Sequence, residues 1–228
     1  MPRRLGVLGG MGPLACVDFL AKLIEETPAV RDQDHVPVVV YGVPQIPCRV
    51  EAILGSGASP LPAMAAGLEI LARAGAEAAV IACNTAHHWY DELARVTTLP
   101  ILHIADAACA GIPAGSRVGL LGTEAALEAD IYQRRLTALN VRSLVNAPDL
   151  RARSVLPAIA LVKQGEPEEA GRRLGPALED LFDQGADSII LACTELPLAL
   201  GAEVSSARGR LIDPTRALAR AAVTWSFS

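Results

Sequence analysis

The chain is poor in aromatic residues, which make up 4% of its 228 residues, although half of it (51%) is hydrophobic. A core built from so few rings relies on alanine, leucine and valine and on many small contacts. No apolar run approaches the roughly 20 residues needed to span a bilayer, and the opening MPRRLGVLGG moves straight into a strand-like run without a long apolar leader. No basic face stands out either. The net charge is −5 and the arginines are scattered among acids, which excludes an obvious nucleic-acid surface. Disulfides are not expected. The five cysteines, Cys16, Cys48, Cys83, Cys109 and Cys193, are odd in number and widely spaced, and no CxxC pair occurs. These absences leave a cytoplasmic globular protein with free thiols, long enough for one or two domains.

What is present is alternation. Strand-like LGVLG (5–9) is followed by a helical pattern with proline at its first position (13–26), then β-branched PVVVY (37–41) and a helix over 61–74. Strand AAVIAC (78–83), a helix from about 87 to 95 and strand PILHI (100–104) come next. The pattern resumes with VGLLG (118–122), a helix to about 139 and VRSLV (141–145). Helical stretches at about 151–163 and 167–184, strand SIILAC (188–193) and strand RLI (210–212) complete it, and Asp213-Pro214 opens a last helix. Such alternation reads as α/β with mostly parallel sheets flanked by helices.

An internal repeat organises the alternation. GAEAAVIACNT (75–85) matches GADSIILACTE (185–195) at an offset of 110, cysteine on cysteine, and LGVLG matches VGLLG at an offset of 113. The preceding helices, AAGLEILARAG and GPALEDLFDQG, correspond as well. The repeat predicts two pseudo-symmetric α/β domains. The first is 1–105 with 206–228 and carries Cys83; the second is 106–205 and carries Cys193. Two related halves facing one another would bring both thiols to one cleft.

Ligands of parallel sheets gather at the carboxyl ends of strands, and both cysteines stand at such an end. A helix N-terminus and free N–H groups there are expected to lower a thiol's pKa from about 8.5 and to favour anions. Asn84, Thr85 and Thr194 follow the thiols and offer polar groups for a carboxylate. A thiol pair flanking a small acid suggests proton removal from Cα by one thiolate and delivery by the other thiol, which inverts the centre. Oriented N–H donors in a dry cleft would stabilise the carbanionic transition state.

Three other readings compete on the same residues. A lone Cys83 is as readily a core cysteine as a functional one. Gly10-x-Gly12-x-x-Ala15 satisfies a dinucleotide fingerprint, but the second strand, PVVVYGVP, ends without the acid that would bind a ribose, so a tight turn serving a small carboxylate is preferred. Cys83, His87 and His88 can be read as zinc ligands, but only Cys193 is an obvious addition to the three or four converging ligands needed. His87 is expected in a helix's first turn near the cleft. Cys16 and Cys109 read as packing.

GVLGGMGPLA (6–15), PQIPCR (44–49), CNTAH (83–87), ACTELP (192–197) and IDPT (212–215) together resemble the aspartate/glutamate racemase family, especially its cofactor-independent aspartate racemase branch. The resemblance runs nearly end to end. It implies a two-domain α/β fold, often homodimeric, that racemises acidic amino acids with no cofactor and without pyridoxal phosphate. It carries the catalytic pair onto Cys83 and Cys193. It carries carboxylate-binding groups onto Asn84, Thr85 and Thr194, a lining residue onto Met11, and contacts to the substrate's side-chain carboxylate onto Arg49 and Lys163. Two departures stand out: Cys48 replaces an aspartate of PQIPDR, and a T-x-G-T stretch reads Thr123-Glu124-Ala125-Ala126. Thr123 survives, while Glu124 brings a negative charge that opposes a dianionic ligand. A related thiol-dependent isomerase or decarboxylase of another small acid, and a non-catalytic acidic-metabolite binder, stay open as alternatives.

Overall fold

A computed structural model of the chain describes residues 2–201 and 210–228, and for Arg210 the main chain only. The chain divides into two compact units, residues up to Ala107 with Thr215–Ser228, and Ala108–Pro214.

The first unit holds β1 (Leu5–Gly9), β2 (Val38–Gly42), β3 (Ala78–Ile81) and β4 (Ile101–Leu102), paired in the order β2-β1-β3-β4. Every pairing is parallel. Helices α1 (Pro13–Glu26), α2 (Arg49–Ile53), α3 (Leu61–Arg73), α4 (Tyr90–Val96) and α5 (Ile104–Cys109) make the crossovers. The central strands β1 and β3 are buried on both faces, as parallel strands under two helix layers must be. Leu8 packs with Met64, Leu68 and Leu71 of α3 on one face. Leu5 and Val7 pack with Phe19 and Leu23 of α1 on the other.

The second unit repeats the plan with β5 (Arg117–Leu121), β6 (Arg142–Val145), β7 (Ser188–Leu191) and β8 (Arg210–Ile212), again all parallel, in the order β6-β5-β7-β8. Its helices are α6 (Glu124–Glu128), α7 (Gln133–Ala138), α8 (Pro148–Leu150), α9 (Leu156–Gln164), α10 (Pro167–Asp183) and α11 (Leu196–Leu200), with a π turn at Arg151–Val155 ahead of α9. Helix α10 buries Ala170, Leu174, Ala177 and Leu181, spaced to form one stripe. A last helix, α12 (Pro214–Phe227), returns to the first unit, where Leu218, Ala219 and Ala222 join the cluster around Leu5 and Phe19. Arg216 and Arg220 pair with Glu25 and Glu26 of α1 at 2.7–2.8 Å. Those pairs are partly solvated and add little, so the apolar stripe docks the helix.

The internal repeat is visible atom by atom within each unit. Arg4 donates its N–H to Glu77 Oε2 at 2.7 Å and accepts from the Glu77 N–H at 2.9 Å. At the repeat-equivalent positions, Arg117 and Asp187 make the same exchange, at 2.8 Å each way. Gly6 and Gly119 are equivalent too. A Cβ on Gly6 would lie 3.2 Å from Leu71 Cβ, and one on Gly119 would lie 3.3 Å from Leu181 Cβ. In both units a helix leucine is pressed onto a strand glycine, which lets helix and sheet approach closely.

Several boundaries differ from expectation. The expected division at 205/206 falls outside the described residues. Strand β8 pairs with β7 and so belongs to the second unit, and the return to the first begins at Thr215, not 206. Strand β4 has two residues instead of five because His103 leaves the ladder to accept the Ala105 N–H at 3.1 Å and cap α5. The segment after Cys83 is a 3-10 turn (Thr85–Trp89) before α4 begins. Among the described residues no helix is long and apolar enough to cross a membrane.

Candidate active site

Each cysteine strand ends two residues before its thiol. Ala82 donates its N–H to Leu8 O at 3.2 Å, and the equivalent Ala192 donates to Leu121 O at 2.7 Å, so each thiol stands one residue past the last rung. The sheets therefore place Cys83 at the carboxyl edge of the first unit and Cys193 at that of the second.

In the first unit Cys83, Asn84 and Thr85 are all buried. Met11 and Cys83 share one buried cluster with Ile46 and Ala86. Arg49 ties this cluster's loops together: its Nη2 donates to Met11 O at 3.0 Å, and its Nη1 to Pro47 O at 2.9 Å and Ile46 O at 3.2 Å. Three of its five N–H groups are thus spent on main-chain carbonyls, and the PQIPCR loop is fastened to the GGMGP loop. Gly10, at φ +92°, lets the GGMGP turn pass against Val43, where any Cβ would meet the Val43 nitrogen at 2.4 Å. Gly10 of the dinucleotide-like string thus serves a tight turn between neighbouring loops. Cys16 packs beneath it, and burial pushes its thiol up.

His87 has both ring nitrogens committed. Nδ1 lies 2.8 Å from Cys83 O, and Nε2 accepts the Ile104 N–H at 3.3 Å. Neither is available to a metal, and His88 is exposed, with its ring edge-on to Trp89. Among the described residues no three His, Cys, Asp or Glu side chains are grouped to hold a metal ion.

In the second unit the Cys193 thiol donates to Glu195 Oε2 at 3.0 Å, and the Thr194 hydroxyl donates to the same oxygen at 3.2 Å. Lys163, in the last turn of α9, reaches the other carboxylate oxygen at 3.8 Å. Cys193, Thr194 and Lys163 are thus brought together around Glu195, whose side chain is only 8% exposed. Sequence reasoning gave Glu195 no role. The signal for it was a carboxylate two residues after a strand-tip cysteine. Burial pushes the Cys193 thiol well above its ordinary value, and the charge and hydrogen bond of Glu195 push it further. This reverses the expected lowering. The helix that follows, α11, has five residues, and a carboxylate sits where free N–H groups were expected to dominate.

The sign is testable. Removing the Glu195 charge while keeping its shape, as Glu195→Gln, lowers the Cys193 pKa, so its alkylation by iodoacetamide sets in at lower pH than in the parent protein. An unchanged alkylation profile would mean that Glu195 has no hold on the thiol.

Thr123 accepts the Ala126 N–H at 3.2 Å and caps α6. Glu124 does not carry an unopposed charge: its Oε2 receives Arg151 Nη2 at 2.6 Å and Nε at 3.2 Å. Arg151 is buried and is anchored at its other end on Asn146 O. The expected repulsion of a dianionic ligand is therefore offset within the second unit.

The family model described as Asp/Glu/hydantoin racemase matches residues 8–222. The chain is 29% identical to the broad specificity amino-acid racemase RacX of Bacillus subtilis (strain 168), over 96% of each chain. It is 30% identical to a glutamate racemase of Desulforudis audaxviator, over 84% of this chain and 66% of that one. Among solved structures, the aspartate racemase of Picrophilus torridus superposes with a TM-score of 0.86 at 32% identity, over 99% of this chain and 94% of that one. With its duplicated parallel sheets and a cysteine motif after the third strand of each, this chain belongs to the Asp/Glu/hydantoin racemase family.

Proposed function

We propose that the chain is a cofactor-independent racemase of an acidic amino acid, aspartate or glutamate, and that Cys83 and Cys193 exchange protons with Cα from opposite faces. The observation that carries this reading is the recurrence of a thiol at one topological position, just past β3 and just past β7, in a chain of this family. A packing cysteine has no reason to recur there with a polar residue directly after it each time.

In the forward direction one thiolate removes the Cα proton and the opposite thiol supplies one to the other face. In reverse the two exchange roles. Asn84, Thr85 and Thr194 hold the α-carboxylate, Thr123 and Met11 line the substrate, and Lys163 meets its side-chain carboxylate. Arg49 acts there with whatever N–H capacity its three carbonyl bonds leave. Glu195 keeps Cys193 in its proton-bearing form, which suits it to deliver a proton. Placed donors stabilise the developing negative charge where water is excluded. The names of the relatives support an amino-acid substrate. The Glu124–Arg151 pair removes the charge objection to an acidic one. Two reduced thiols suit the cytoplasm. The resemblance adds a homodimer, for which the exposed Leu14, Val17 and Ile24 along α1 offer an apolar face.

The test is chiral chromatography of each enantiomer of aspartate and glutamate after incubation with the reduced protein. Approach to a racemic mixture from both sides, without added pyridoxal phosphate, is the expected result. No conversion of either acid would overturn the reading.

A further inference from the structure

We propose that His87 is a positioning residue for Cys83, bracing the carbonyl of the thiol-bearing residue against the first turn of α5. The proposal rests on the racemase reading above for its kinetic consequences, and on geometry alone for its structural ones.

The chain leaves its sheet at Cys83, whose N–H turns back to Ile81 O at 2.8 Å instead of joining a ladder. The carbonyl of the same residue accepts from a side chain, His87 Nδ1, at 2.8 Å. The other ring nitrogen faces the Ile104 N–H at 3.3 Å. A main-chain N–H can only donate, so Nε2 is the acceptor and the proton sits on Nδ1, which donates to Cys83 O. His87 is 3% exposed, and its ring lies 4.5 Å from the His103 ring, which in turn meets Tyr90 edge-on at 4.6 Å. His103 accepts the next amide of the same turn, that of Ala105. Two neighbouring imidazoles, tilted 50° to one another, therefore receive consecutive N–H groups of α5, and one of them holds the Cys83 main chain from its far side.

Among the described residues the second unit has nothing equivalent. The position that repeats His87 is Pro197, and the Cys193 carbonyl receives the Leu196 N–H at 3.1 Å instead. The brace is thus one-sided. Its loss should disturb proton transfer at Cys83 and spare Cys193. A displacement of about 1 Å at a reacting group costs about 10²-fold.

Two near-isosteric substitutions separate the two bonds. His87→Asn keeps an amide donor where Nδ1 stands and loses the acceptor for Ile104. His87→Gln keeps an acceptor where Nε2 stands and loses the donor to Cys83. In the full-length protein, His87→Gln should lower kcat at least about tenfold more than His87→Asn, with KM shifted far less. With Cα-deuterated substrate, its primary isotope effect should rise for one enantiomer only, the one whose proton Cys83 removes. Mass-spectrometric measurement of iodoacetamide labelling should show Cys83 changed several-fold in His87→Gln relative to His87→Asn, with Cys193 the same in both. Equal kinetics in the two variants, isotope effects that rise equally for both enantiomers, or Cys83 labelling that is equal in both would overturn the proposal. If the parent protein racemises neither acid, the racemase reading falls, while the labelling of the two thiols still decides the role of His87.

Discussion

Replacing either Cys83 or Cys193 by alanine should end racemisation in both directions, with kcat falling about 10²–10⁴-fold, the range that a placed acid or base supplies. Both directions fail together because each turnover needs one thiol to accept a proton and the other to give one. A single surviving cysteine can exchange Cα hydrogen on its own face but cannot invert the centre. The loss is chemical, since trimming a cysteine to alanine removes one atom from the core and leaves the strand ends as they are. Cys109→Ala, at a buried position of α5, serves as the control and should keep its turnover. If either single variant at Cys83 or Cys193 kept full activity, two-thiol transfer would be wrong, and the duplicated motif would need another explanation.

The second large effect concerns the fold that holds the thiols. Leu71→Ala and Leu181→Ala should each destabilise the protein by about 2–5 kcal/mol, the usual cost of emptying a leucine site in a core. For a chain of this size that lowers the thermal midpoint by about 10 °C. Both leucines are fully buried, and each sits on the glycine of its neighbouring strand, Gly6 or Gly119. The cavity would open between a helix and a sheet buried on both faces, where little can move to fill it. Because the two sites are repeat-equivalent, the two losses should be alike. A loss below about 1 kcal/mol at one site would show that its helix can settle onto the sheet, and that the repeat does not extend to packing.

Much of this architecture could be read from local pattern. Leu5–Gly9 and Ile189–Leu191 are continuous apolar runs, as strands buried on both faces must be. The proline at 13 sets the start of α1, and Pro214 that of α12. The repeat pointed to two like-folded halves because glycine, leucine and acid recur at the positions where helix and sheet touch. What could not be read depends on partners distant in the chain. The short run RLI at 210–212 says strand, but not that β7 is its neighbour. His103 lies in a sequence that reads as strand, and only the amides of α5 show why it leaves the ladder. The charge of Glu124 was legible, whereas Arg151, 27 residues on, was not. Arg49 was legible as a positive charge near the loops, and its three carbonyl bonds were not. For Cys193, position at a strand tip argued for a lowered pKa, and the carboxylate of Glu195 reverses the sign. In each case the residue type was readable and the group facing it was not.

The central claim is that two thiols work on opposite faces of one Cα, and its most direct measurement is the isotopic composition of both enantiomers at early times in D₂O. Starting from either enantiomer of the turned-over acid, the account predicts that the newly formed enantiomer carries deuterium at Cα from its first appearance. The unconverted enantiomer should keep protium over the same interval. Deuterium entering the unconverted pool ahead of product would contradict it, as would protium retained in the product, because either result requires a single group to remove and return the proton.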